Sequence, residues 1–186
     1  MSRFEITDLS LSGLKRIERK NIGDSRGFFS RVFCAEDLAE AGWVKPIAQI
    51  NLNRTSRTGS LRGMHFQYAP HAEMKLVNCI RGRIFDVAVD LRAGSPTFLQ
   101  WHGEELSAEN RRSLLIPEGF AHGFQTLSDD CEVLYMTSHP YAPDAEGGIG
   151  ALDPMVGITW PLEIADISER DSNHPALSQA FEGIRL

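Results

Sequence analysis

Glycine and proline interrupt this chain at short intervals, 16 and 9 of them in 186 residues, and the runs between them are rich in Val, Ile, Phe and Leu. That punctuation predicts an all-β sandwich or barrel. IFDVAVDLR, Ile84 to Arg92, shows the period: Phe85, Val87 and Val89 share one face and Ile84, Asp86 and Ala88 the other. One face is expected in the core, and the other carries a carboxylate. In IAQINLN the amides Gln49, Asn51 and Asn53 share a face opposite Ile50 and Leu52, and a row of amides suits a binding cleft. Gly82 and the PEG of Pro117 to Gly119 mark hairpin turns, and AEDLAEAG after Phe33 resembles a helix that stops at Gly42.

With 42% hydrophobic and 24% charged residues, the chain can bury one sizeable core, and no repeat or linker divides it, so a single domain over residues 1–186 is expected. The C-terminal stretch with WPL and SERD is strand-poor and reads as loops and short turns laid over the sheet. The N-terminus has no apolar h-region and no later run is long enough to span a bilayer, so a cytoplasmic protein with no membrane partner is expected. Cys34, Cys79 and Cys131 are an odd number without a CxxC pair. They read as small buried hydrophobes, not as a disulfide framework or a zinc knuckle. The net charge of -6 argues against nucleic acid as a partner and leaves room for a local cationic pocket that takes an anionic small molecule.

LRGMHFQ, Leu61 to Gln67, places Arg62 and His65 inside an otherwise apolar strand. A lone histidine there is ordinarily a satisfied core residue. Strict alternation would put the two side chains on opposite faces, whereas a bulge at Gly63 would bring both to one cleft. PEGFAH, Pro117 to His122, is similar to the second motif of the cupins, which are jelly rolls. Their first motif supplies an HxH pair, but here the segment reads His65, Phe66, Gln67. One or two imidazoles without a carboxylate partner make a poor divalent-metal site, and no metal is expected. The groups that remain suit proton transfer without a cofactor: His65 as base, Tyr135 as weak acid and Lys75 as fixed positive charge. Together they describe enolisation beside a carbonyl, with a proton returned on the opposite face, which is epimerisation.

Over nearly its whole length the chain resembles the dTDP-4-dehydrorhamnose 3,5-epimerase family. The likeness runs through DSRGFFSRVF, QIN, LRGMHFQ, KLVNCIRGRIFDVAVDLRAGSPTF, IPEGFAHGF, LYMTSHPYAPDAEG, DP, WP and SERD in order. The resemblance implies a homodimeric, cofactor-free jelly roll (a cupin-like double-stranded β-helix) with a few short helices, acting on a dTDP-linked 4-keto-6-deoxyhexose. It implies His65 as the base at C3 and C5, Tyr135 as the proton donor, Asp171 as the carboxylate that orients the base, and Lys75 near the sugar O4. Arg26 and Arg62 match the pyrophosphate contacts, where forked guanidinium groups suit phosphate oxygens. Gln49 and Asn51 match the nucleoside contacts, Phe28 packs near the base, His122 touches the substrate, and Tyr141, Glu146 and Arg170 match further contacts.

Read without the resemblance, several of these residues have plainer roles. Asp171 is a solvated turn residue, Lys75 a surface lysine at a strand start, Tyr135 a core aromatic and His122 a structural histidine after a tight turn. The chain departs from the family at Arg31, where the pattern D-x-R-G-F-F-x-E carries a glutamate that accepts a hydrogen bond from thymine. Arg31 reads either as an exposed strand residue or as a changed base contact. The rival functions are a 3-epimerase or ketoisomerase acting on a different nucleotide-linked keto sugar, a sugar-nucleotide-binding jelly roll without activity, and a metal-dependent cupin oxygenase.

Overall fold

The computed structural model describes residues 2–186. Its strands are β1 (Phe4–Asp8), β2 (Lys15–Arg19), β3 (Ile22–Asp24), β4 (Gly27–Phe29), β5 (Gln49–Thr55), β6 (Ser60–Gln67), β7 (Lys75–Arg81), β8 (Arg83–Asp90), β9 (Trp101–Ser107), β10 (Arg112–Ile116), β11 (Phe120–Thr126), β12 (Cys131–Thr137), β13 (Glu146–Gly148) and β14 (Asp166–Ile167). Two helices, α1 (Ala35–Ala39) and α2 (Glu169–Ser172), complete the elements used below. One sheet has the order β1-β2-β10-β7-β12-β5, and a second runs β13-β6-β11-β8-β9 with β14 parallel to β6. The rest of both sheets is antiparallel, and β3 and β4 form a separate hairpin. Consecutive strands repeatedly switch sheets, which gives the jelly roll that the motifs led one to expect. None of the described helices is long and apolar enough to cross a membrane.

The core lies between the sheets, where Val77, Leu114 and Val133 of the first meet Ile84, Leu106, Phe120 and Phe124 of the second. Each sheet is also covered outside. Leu38 and Trp43 of the α1 region pack on Ile17, Leu76, Leu115 and Met136, while Ile149, Val156, Ile158 and Ile184 of the C-terminal stretch cover Leu61, Val87 and Val89. Strand β8 therefore differs from the one-sided expectation. Phe85, Val87 and Val89 face the C-terminal cover, and Ile84, Asp86 and Ala88 face the interior, so both faces are buried and the carboxylate lies on the inner one. Alternation identified the faces correctly, but it carries no information about what a distant segment will cover.

On β5 the amide row turns inward, leaving Ile50 and Leu52 about 60% exposed on the outer side of an edge strand (59% and 61%). Gly82, at φ +74°, makes the β7–β8 turn, where a Cβ would come within 2.8 Å of Cys131 Sγ.

The bulge expected at Gly63 is present. His122 pairs with His65 and Phe124 with Arg62, so three steps along β6 match two along β11. The extra residue resets the alternation, and Arg62 and His65 open into the same cavity. Gly63 sits at φ +115° and its Cα approaches β11 so closely that an added Cβ would lie 2.5 Å from Gly123 Cα and 2.7 Å from His122 O. Both contacts are with backbone, which cannot rotate away. Gly63→Ala should therefore lower stability by about 2 kcal/mol or more, read as a lower denaturation midpoint in urea. An unchanged midpoint would show that β6 and β11 can separate freely.

Candidate active site

The cleft consists of two cavities of about 400 and 410 Å³ that share His65, Lys75, Tyr135 and Arg170 in their walls. His65 comes from β6 in the second sheet and Tyr135 from β12 in the first, so the base and acid candidates stand on the two sides of one opening. Arg62 and His122 join the first cavity, and Gln49, Asn51, Tyr141 and Glu146 join the second.

Asp171 is positioned by the start of α2, where its N–H donates to the capping Ser168 Oγ at 3.1 Å. Its carboxylate is 4% exposed and accepts from Gly63 N at 3.1 Å through Oδ2, while Oδ1 lies 2.8 Å from His65 Nε2. Burial pushes the Asp171 carboxyl up, but the hydrogen bonds from Gly63 and His65 and the charge of His65 outweigh it, so the group titrates below the usual range. A carboxylate that stays ionised takes a proton from Nε2–H as a hydrogen bond, which leaves Nδ1 as the free, basic nitrogen. Burial is the largest influence on His65 and lowers its pKa. Asp171 pulls it back up, and Arg170 and Lys75 add to the lowering. The ring is thus neutral, and able to accept a proton, at ordinary pH.

Arg170 is the end of a polar chain. Tyr141 Oη donates to Glu146 Oε2 at 2.9 Å, Glu146 faces Arg170 Nη1 at 3.3 Å, and Arg170 donates to Asp171 Oδ1 through Nε at 3.3 Å. Its Nη2 lies 3.1 Å from His65 Nε2, a contact of two N–H groups and not a hydrogen bond once Nε2 carries the proton. On the other wall Lys75 Nζ donates to His65 O at 3.3 Å and pairs with Glu73 Oε1 at 3.0 Å. Arg62 Nε donates to Thr55 Oγ1 at 2.9 Å. Gln49 Oε1 accepts from Tyr141 N at 3.0 Å, which ties the amide row of β5 to the segment that carries Tyr141.

Some site residues escaped the sequence reading. Asp86, fully buried, bonds through Oδ1 to His122 Nε2 at 2.8 Å, a second imidazole–carboxylate pair beside the first. Its only sequence signal was a charge at an alternating position of an apolar strand, read there as lying opposite the core. Glu73 and Gln67 line the second cavity. Gln67 is 3% exposed and accepts from Ala142 N at 2.6 Å while donating to His71 O at 2.8 Å. His174 packs edge-on against His65, with ring centroids 5.6 Å apart.

His65, Asp171 and His174 bring one ligand atom each within 4.8 Å of the others, so the imidazole has a carboxylate partner, the one the resemblance implied. However, both Asp171 oxygens are already engaged and the Arg170 guanidinium supplies the positive charge beside them. The donor set suits an oriented imidazole better than a divalent ion.

Arg26 and Phe28 are not brought to this cleft within one chain. They lie on the β3–β4 hairpin around a separate hollow, Phe28 70% exposed and Arg26 paired with Asp24 at 2.5 Å. The hairpin is its own small sheet. Arg31, just beyond it, is exposed.

The dyad makes a direct prediction. Asp171→Asn removes the charge that helps hold the His65 pKa up, so the His65 ring should titrate at still lower pH in an NMR titration. An unmoved midpoint would mean that Asp171 does not govern the imidazole.

The family model for dTDP-4-dehydrorhamnose 3,5-epimerase matches residues 8–179. The dTDP-4-dehydrorhamnose 3,5-epimerase of Salmonella typhimurium is 46% identical over 166 residues, 89% of this chain and 91% of that protein. The crystal structure of the dTDP-6-deoxy-D-glucose-3,5-epimerase of Legionella pneumophila, in complex with dTDP-4-keto-L-rhamnose, superposes with a TM-score of 0.88 at 43% identity, covering 93% of this chain and 92% of that one. A 3'-monoepimerase of Streptomyces bikiniensis, in complex with dTDP-quinovose, gives a TM-score of 0.83 at 36% identity over 90% of this chain and 85% of that one. With the family model spanning nearly the whole sequence and relatives at this identity, the chain belongs to the dTDP-4-dehydrorhamnose 3,5-epimerase family.

Proposed function

We propose that this protein inverts C3 and C5 of a dTDP-4-keto-6-deoxyhexose without a cofactor, the chain working as one epimerase domain. The observation that carries the reading is that His65 and Tyr135 rise from opposite sheets into one cleft. His65 Nδ1 takes the proton from the carbon next to the C4 ketone, and the electron pair left behind moves onto O4 as an enolate. The Lys75 ammonium lowers the energy of that negative charge. The enolate electrons then return to carbon and take the proton of Tyr135 Oη from the other face, which inverts the centre. His65 has gained one proton and Tyr135 has lost one, and exchange with water restores both before the second centre reacts. Burial raises the Tyr135 pKa, Glu73 adds to the rise and Arg62 opposes it, so the phenol holds its proton until the enolate forms. Arg62 binds pyrophosphate, His122 the sugar, and Gln49 and Asn51 the nucleoside, with Tyr141, Glu146 and Arg170 along the rim.

The nucleotide end of the cleft is completed in a homodimer. Phe28 and Phe29 of the hairpin and Ile50 and Leu52 of edge strand β5 are each more than half exposed, and an edge strand with an apolar outer face is a natural pairing surface. A second copy's hairpin would then supply the Arg26 and Phe28 contacts that one chain lacks. A cytoplasmic location accords with three cysteines that are all free.

In D2O with dTDP-4-keto-6-deoxyglucose, the protein should place deuterium at both C3 and C5, read by NMR. His65→Ala should slow the exchange by about 10²–10⁴-fold, and Tyr135→Phe should retain exchange while losing inversion. Label at C3 alone would identify the single-centre reaction, and label at neither carbon would overturn the proposed substrate. In sedimentation, the protein should run as a dimer and Leu52→Lys should move it toward monomer. A monomeric wild type would remove the dimer from the account.

A further inference from the structure

Glu73 moves no proton in the mechanism above, yet its placement bears on the group that does. Its side chain is 10% exposed, in the wall of the cavity that also holds Tyr135 and Lys75. Both oxygens are committed, Oε1 to Lys75 Nζ at 3.0 Å and Oε2 to Gln67 Nε2 at 2.5 Å. Gln67 is itself pinned, donating also to His71 O and Pro140 O and accepting from Ala142 N. The carboxylate is thus fixed at both ends, unlike a mobile surface charge.

We propose that Glu73 is a positioning residue for the proton donor: its fixed negative charge keeps Tyr135 a phenol, and its hydrogen bond aims the Lys75 ammonium into the cleft. This rests on the reading of Tyr135 as the acid and Lys75 as the charge opposite the enolate. The need for such a group follows from what else faces Tyr135. From β6 come Arg62 and His65, from β7 Lys75, from β11 His122, and from α2 Arg170 and Asp171. Strand β5 contributes the neutral Asn51 and Asn53. The Asp171 carboxylate is bound to His65 and Arg170, and Glu146, from β13, is bound to Arg170 and Tyr141. Three fixed cations, Arg62, Lys75 and Arg170, would favour loss of the phenol proton to water before any enolate exists to receive it. Burial does most to keep the proton on Tyr135, and Glu73 is the acid in the wall that adds to it against Arg62.

The test is the pH dependence of inversion in the full-length protein. In Glu73→Gln, which keeps the shape and the bond to Lys75 but not the charge, the alkaline loss of kcat should begin at lower pH than in wild type. Glu73→Asp, with the charge retained, should move the profile back toward wild type. In a Tyr135→Phe background only the His65-driven exchange of the sugar proton is read, and there the added Glu73→Gln should leave the alkaline side of the profile in place. Superimposable profiles for wild type and Glu73→Gln overturn the proposal, as does an equal displacement in the Tyr135→Phe background. Should the glutamine variant fail to fold, Glu73→Met, which loses the bond to Lys75 along with the charge, is read in both backgrounds, where only a displacement that disappears with Tyr135→Phe supports the proposal. Failure of the underlying functional reading is distinguishable, because wild type would then exchange neither C3 nor C5.

Discussion

The Asp171 carboxylate joins the fold to the chemistry through its two oxygens. The bulge takes the Gly63 N–H out of the strand ladder, and a buried amide left without an acceptor costs about 1–3 kcal/mol. Oδ2 provides that acceptor, while Oδ1, on the same rigid group, sets the tautomer and direction of the imidazole two residues further on. The backbone irregularity that turns His65 into the cleft and the hydrogen bond that orients its ring therefore depend on one side chain. Because α2 is only four residues long and is capped by Ser168, the carboxylate arrives at β6 as part of a tight turn and does not depend on a long lever.

How much of this could be read beforehand depended on distance along the chain. Alternation in Ile84 to Asp90 sorted the side chains into the right two sets, because a period of two is a property of the strand alone, but it set the carboxylate opposite the core when it lies on the inner face. It could not show that the C-terminal stretch covers the outer face, nor that Asp86 would meet His122, since both depend on pairings between remote segments. The bulge at Gly63 was legible because only glycine lets two backbones approach so closely. The amide row of β5 was legible from its pattern, although the exposure of Ile50 and Leu52 opposite it was not, because an edge position is a fact of topology. Glu73 and Gln67 gave no signal at all. A single acid before a strand looks like solvent-facing charge until the partner that buries it is in place.

The two imidazole–carboxylate pairs in the cleft show how similar parts acquire different capacities. His65 and His122 are direct partners across β6 and β11, each with a carboxylate 2.8 Å from Nε2. Asp171 has a further donor in Gly63 and a guanidinium alongside, and its carboxyl is held below the usual range. Asp86 is fully buried, its Oδ2 has no partner among the described residues, and burial pushes its carboxyl up despite His122. A carboxyl group that resists ionisation gives its imidazole less negative charge to lean on as a proton arrives. Asp171 is thus held in its charged form by several donors, whereas Asp86 has His122 alone. The number of donors around each carboxylate therefore sets how strongly each ring is supported as it gains a proton.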